Sequence, residues 1–236
     1  MSLLYFVTPA WQRYELSEVC FEQRRRAMAV LEDHGIETRC VVIADDENLD
    51  IARSKGFATV EQRNDLGLGR KFNDGYQYAA EHGATWIVPI GSDSWIHPFY
   101  FMPLPTRVNR VRSSHFYAAV AHDQMVVCNV AMERCPAGPY VLHRDLLKTT
   151  NYRPTGEELN RNLDSSTIRA LPPFKWAHRD DHPLQYVGFR HPVHSITSYG
   201  ALKNRWGVRE SQDPWTELKG MYPADLVEAA RKAITP

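Results

Sequence analysis

The chain holds 236 residues, enough to bury a substantial core and within the reach of one domain. Lys plus Arg and Asp plus Glu each number 28, so the formal charge is zero; this excludes a global field for capturing a polyanion and leaves a nucleic acid only a local patch to bind. No apolar run approaches the ~20 residues that span a bilayer, the first residues lack a signal-peptide pattern, and the four scattered cysteines read as reduced thiols, so the expected compartment is the cytoplasm.

Leu3 to Val7 is a continuous apolar run ending at Thr8-Pro9, as expected of a buried parallel strand that leads into a loop. From about Glu15 to His34 apolar residues recur at helical spacing, and Gly35 marks the stop. A second strand, Arg39 to Ala44, breaks into Asp45-Asp46-Glu47-Asn48. A short helix from Leu49 to Lys55, a strand from Phe57 to Glu61, a helix from Arg70 to Glu81 and a strand from Trp86 to Ile90 follow. This alternation predicts an α/β fold with a mostly parallel sheet flanked by helices, whose ligands bind beyond the strands' carboxyl ends. The clusters at Asp45 and Asp93 both fall at that edge. Beyond Pro98 prolines punctuate short elements, with a strand expected at Met125 to Val130 and a terminal helix at Ala224 to Ile234.

Gly91-Ser92-Asp93-Ser94 follows an apolar strand, where a carboxylate can project toward a phosphate-bound cation. Mn²⁺ or Mg²⁺ needs only one or two protein carboxylates when the substrate's phosphates supply further oxygens. The same Asp93 can instead cap a turn with its side-chain oxygen. His178, His182, His191 and His194 crowd together without the spacing of a zinc signature. Among the aromatic residues, most of which read as core, Trp11 lies in the loop after the first strand and Trp95 follows Asp93, positions from which a ring could stack on a ligand.

Several weak motifs stand in a telling order. They are Thr8-Pro9 after the first strand, Asp45-Asp46 after the second, Gly69-Arg70-Lys71-Phe72-Asn73-Asp74-Gly75 heading a helix, and Gly91-Ser92-Asp93-Ser94 after the next strand. This order resembles the GT-A fold of family 2-type glycosyltransferases, well over residues 3–98 and loosely beyond. The resemblance implies one domain with a nucleotide-sugar half at 1–98 and an acceptor half at 99–236. It implies that Thr8, Pro9 and Arg13, with Trp11 in the same loop, and Asp45 meet the base and ribose. Arg70 or Lys71, with Asn73, would face the diphosphate at a helix start, beside Ser92 and Asp93. Asp93 would hold the metal, with His194, or His191 second to it, as a later ligand. Asp164, in Asn162-Leu163-Asp164-Ser165-Ser166, is the candidate base for an acceptor hydroxyl. The chain departs from the family's Asp-x-Asp motif, with Gly91 in place of the first Asp. It also departs from a Gly-Ser-Asp-Asp variant, with Ser94 in place of the last.

The expected activity is therefore metal-assisted transfer of a hexosyl or pentosyl group from a nucleotide-diphosphate sugar, foremost a UDP-sugar, to an acceptor hydroxyl. The acceptor is open among a saccharide, a protein, a small molecule and a hydroxymethylated DNA base; Arg107, Arg110 and Arg112 would offer a phosphate patch to the last. A non-catalytic nucleotide-binding module of the same fold and a nucleotidyltransferase are the alternatives, although Thr8-Pro9-Ala10-Trp11 lacks the glycine-rich loop of the latter. No G-x-G-x-x-G follows the first strand, which argues against a dehydrogenase.

Overall fold

A computed structural model describes residues 2–114, 116–129, 139–159, 163–177, 182–190 and 199–235; of Asp164, Ser165, Arg205 and Trp206 it describes the backbone alone. The expected alternation is present: β1 (Leu3–Pro9), α1 (Tyr14–Asp33), β2 (Glu37–Ala44), α2 (Asn48–Ser54), β3 (Ala58–Glu61), α3 (Leu68–Glu81) and β4 (Trp86–Pro89). Short strands and helices follow: β5 (Ser94–Ile96), β6 (Arg110–Val111), β7 (Phe116–Ala121), β8 (Gln124–Asn129), β9 (Leu142–His143), α4 (Arg144–Lys148), α5 (Leu163–Ala170), β10 (Lys175–Trp176) and β11 (Tyr186–Phe189). The chain closes with α6 (Tyr199–Trp206), β12 (Gly207–Ser211), α7 (Pro214–Lys219) and α8 (Ala224–Ile234).

The first sheet has the order β3-β2-β1-β4-β9, with β1 to β4 parallel and β9 antiparallel at the edge. Every residue of β1 is buried, because both faces are covered. Leu4 and Phe6 point with Val42 and Val88 toward Phe21 and Leu31 of α1, while Tyr5 and Val7 point with Val41 and Ile43 toward Tyr76 and Ala79 of α3. Gly75 permits this second packing, since a Cβ there would lie 2.3 Å from Val7 Cγ1. From β1 the chain steps outward to β2 and β3, then returns to place β4 on the other side of β1. The crevice between the carboxyl ends of β1 and β4 is thus the point where strand order reverses, the usual ligand position in such sheets.

The second sheet, β12-β8-β7-β11-β5, stacks Ala118, Val120, Val187 and Phe189 against Leu16 and Cys20 of α1 and against Trp215 and Leu226. At its β5 edge the Gln23 side chain acts as a strand partner, donating to Ile96 O at 2.9 Å and accepting from Ile96 N–H at 3.4 Å. A division at residue 98 does not separate the two sheets, because β5 joins the second and β9 returns to the first. Among the described residues no helix is long and apolar enough to cross a membrane.

Candidate active site

The loop after β1 carries the first group of site residues. Gln12 and Arg13 both have left-handed backbones, with φ of 52° and 55°. Such geometry costs of order 1–3 kcal/mol per non-glycine residue and persists only where surroundings impose it. Here the surroundings are Asp46 and Asn48: Gln12 N–H donates to Asp46 Oδ2 at 2.9 Å, and Asn48 Nδ2 donates to Gln12 O at 3.2 Å. The other oxygen of Asp46 accepts from Asn48 N–H at 3.0 Å at the start of α2. The result leaves Trp11 half exposed and turns Arg13 inward across the mouth of the sheet.

Arg13 reaches the loop after β4. Its Nη1 donates to Asp93 Oδ2 at 2.8 Å and its Nη2 to Ser92 Oγ at 3.4 Å. Arg190, directly after β11, brings its Nη1 to 3.7 Å from the same Asp93 oxygen and its guanidinium carbon to 5.2 Å from the Tyr117 ring centre. Asp93 Oδ1 accepts from Ser94 Oγ at 3.1 Å. Burial pushes the Asp93 carboxyl upward, but Arg13 and Arg190 outweigh it and hold the group below its ordinary range. Burial lowers Arg190, against the pull of Asp93.

A second network joins three loops. Lys71, buried on α3, donates through Nζ to Ala10 O at 3.0 Å and to Asn64 Oδ1. Asn64 in turn donates from its backbone to Asp45 Oδ2 at 2.7 Å and from its side chain to Asp45 Oδ1. Burial lowers the Lys71 ammonium, with Asp45 and Asp46 opposing the shift. Lys71 therefore fixes the loop after β1 from beneath, and Asp45 stands exposed at the rim.

Several residues expected to face the donor are engaged by the fold instead. Pro9 is buried as the last residue of β1. Thr8 is fully buried, and its hydroxyl accepts from Arg24 Nη1. Asn73 is fully buried, with its amide donating to Thr155 O at 2.7 Å and accepting from Thr155 N–H at 3.0 Å. The start of α3 is not an open anion site, because the chain's own carbonyls cap it. Gly69 N–H donates to Leu159 O at 2.9 Å and Arg70 N–H to Glu157 O at 3.2 Å. Gly67 and Gly69 exist for this loop: a Cβ at Gly69 would lie 1.9 Å from Gly156 O, and one at Gly67 2.5 Å from Glu157 O.

Trp95 is a core residue of the second sheet, edge-on to Phe189 at 4.9 Å between ring centres, and not a sugar platform. Arg112 is buried and donates to Tyr100 O at 2.6 Å, so Arg107, Arg110 and Arg112 form no common phosphate patch. His191 and His194 lie outside the described residues, as does the side chain of Asp164; the backbone puts Asp164 in the first turn of α5. That helix is tied to the α3 cap through Ser166 Oγ, which accepts from Gly156 N–H at 2.9 Å, and through the Thr155 and Thr167 hydroxyls 2.7 Å apart.

Two site residues escaped sequence reasoning. Arg190 follows a short strand with no motif around it. Arg24 sits mid-helix, fully buried, and donates to Gly91 O at 3.1 Å and Ser94 O at 3.4 Å, holding the Asp93 loop against α1. Its only sequence signal is a charge on the apolar face of a helix.

Among the described residues no group of three His, Cys, Asp or Glu converges as a metal-binding cluster. Asp93 offers a single carboxylate, one oxygen of which lies within 4 Å of two guanidinium groups. One carboxylate could suffice beside a substrate's phosphates, but this one is already paired with two guanidiniums whose positive charge would repel a divalent cation, so this described donor set does not fit Mn²⁺ or Mg²⁺.

No protein family and no curated protein matches the chain by sequence. Its fold does match solved structures. S. aureus TarS 1–349 superposes with a TM-score of 0.57 at 15% identity, over 80% of this chain and 60% of that one. The same TarS fragment in complex with UDP-GlcNAc gives 0.54 at 15% identity, over 81% and 59%. A variant of Drosophila β1,4-galactosyltransferase 7 in complex with manganese, UDP-Gal and xylobiose gives 0.50 at 12% identity, over 89% and 76%. The chain thus has the α/β fold of GT-A glycosyltransferases and spans about three-fifths of the TarS fragment it matches.

Proposed function

We propose that the chain transfers a sugar from a nucleotide-diphosphate sugar to an acceptor hydroxyl. The observation that carries this is the meeting of the Trp11-Gln12-Arg13 loop with Ser92 and Asp93 at the strand-order reversal between β1 and β4. The half-exposed Trp11 ring offers a stacking face for the nucleotide base, and Asp45 at the rim offers acceptors for base or ribose. The TarS and galactosyltransferase structures, solved with UDP-GlcNAc and UDP-Gal, support a UDP-sugar as the first donor to test.

In the reaction the anomeric carbon breaks its bond to the terminal diphosphate oxygen and forms one to the acceptor oxygen. The leaving nucleoside diphosphate keeps the electron pair, and the acceptor's proton passes to a base. Asp164 on α5 is the proposed base. The proposed group transferred is a hexosyl or pentosyl unit.

The test is nucleoside diphosphate release from UDP-, GDP-, CDP- and dTDP-sugars, followed with and without saccharide acceptors. One donor should be turned over above background. Trp11→Ala should raise its KM roughly three- to tenfold through lost stacking, about 0.5–1.5 kcal/mol, while leaving the melting temperature unchanged. Failure of every donor to bind or react would sink the proposal.

A further inference from the structure

The cluster of Arg13, Arg190 and Asp93 carries a net positive charge. Arg13 arrives from the loop after β1, Arg190 from the end of β11, and both converge on one oxygen of Asp93, at 2.8 and 3.7 Å. Two guanidiniums and one carboxylate leave one positive charge uncompensated within this cluster. The three side chains are 15, 17 and 16% exposed, so they are reachable from solvent yet shielded from most of its screening. Arg190 is stiffened by its stacking on Tyr117, and its Nε has no hydrogen-bond partner among the described residues. Arg13 is stiffened by its imposed left-handed backbone.

A planar guanidinium with several N–H donors is suited to paired contacts with phosphate oxygens, and two such groups held side by side by a shared carboxylate are pre-organised for a diphosphate. A cation entering the same space would meet like charge on both sides. We infer that Arg13 and Arg190 themselves neutralise the donor's diphosphate, with Asp93 as the positioning residue that holds both guanidiniums, in the place where a carboxylate-bound metal would otherwise act. The inference rests on the nucleotide-sugar reading of the site. As the bond to the anomeric carbon breaks, the charge that accumulates on the leaving diphosphate is met by fixed donors.

The experiment is calorimetric titration of the full chain with UDP, GDP, CDP and dTDP, each in EDTA and again in Mn²⁺. It is run on the unaltered protein and on Arg190→Gln, Arg190→Lys and Asp93→Asn, with melting curves to establish that each variant is folded. The expected result is one diphosphate bound with an affinity that differs by less than about threefold between EDTA and Mn²⁺. Arg190→Gln should weaken it at least about tenfold, Arg190→Lys should recover part of that loss, and Asp93→Asn should weaken it without creating a metal requirement. Binding that needs Mn²⁺ and ignores Arg190→Gln would overturn the inference and leave sugar transfer standing. No binding of any diphosphate in either condition would overturn both.

Discussion

Asn73 on α3 and Thr155 in the preceding loop of α5 exchange two hydrogen bonds, amide to carbonyl at 2.7 Å and backbone N–H to amide oxygen at 3.0 Å. An asparagine side chain thereby does what a strand neighbour does, and it closes the loop over the start of the helix. Asn73→Ala leaves the buried Thr155 N–H and C=O unpaired. It should cost about 2–4 kcal/mol in urea unfolding, the sum of two unmet buried groups.

Gly69 lies beneath that same loop. Because the obstacle to a Cβ is the backbone carbonyl of Gly156, at 1.9 Å, no rotamer change relieves it. Gly69→Ala should lower stability by about 3 kcal/mol or more, through displacement of residues 155–159. Faster proteolysis of that loop, followed by mass spectrometry, is the accompanying readout.

Arg24 is a fully buried guanidinium whose partners include the Thr8 hydroxyl and the carbonyls of Gly91 and Ser94, all neutral. Arg24→Met fills the same space but strands these acceptors and frees the Asp93 loop. A loss of about 2–4 kcal/mol is expected from thermal or urea unfolding.

The Asp93 carboxyl titrates below its ordinary range in the folded protein. A group whose folded pKa is depressed contributes stability that is fully present above the unfolded value, about 3.9, and is lost as pH falls through the lower folded value. Asp93→Asn should therefore reduce stability near neutral pH and flatten the loss seen below about pH 4. Urea midpoints measured along an acid titration of both proteins check the sign.

The first half of the fold was legible because its physics is local. β1, β4 and the second half of β2 from Cys40 to Ala44 are buried on both faces and read as unbroken apolar runs, and α1 and α3 have apolar stripes at helical spacing. The second half was not, because β5, β6, β9 and β10 are two or three residues long and too short to show a period. For the candidate site, sequence places Arg13 and Asp93 each after a strand's carboxyl end but cannot pair them, since αL geometry at Gln12 and Arg13 is imposed from Asp46 and Asn48. The run from Gly69 to Gly75 reads by resemblance as a helix start facing a diphosphate. What meets that helix start is a loop far along the chain, and no local pattern distinguishes the two.

Helix α1 has a consequence for how the protein comes apart. It gives Phe21 and Leu31 to the core of one sheet and Leu16 and Cys20 to the core of the other. Loss of this helix would expose one apolar face of each sheet to water, so the two sheets should melt in one transition, as leaves hinged on one spine. Its central amides, around Cys20 to Arg24, should be among the last in the chain to exchange with deuterium, opening only when the entire molecule opens.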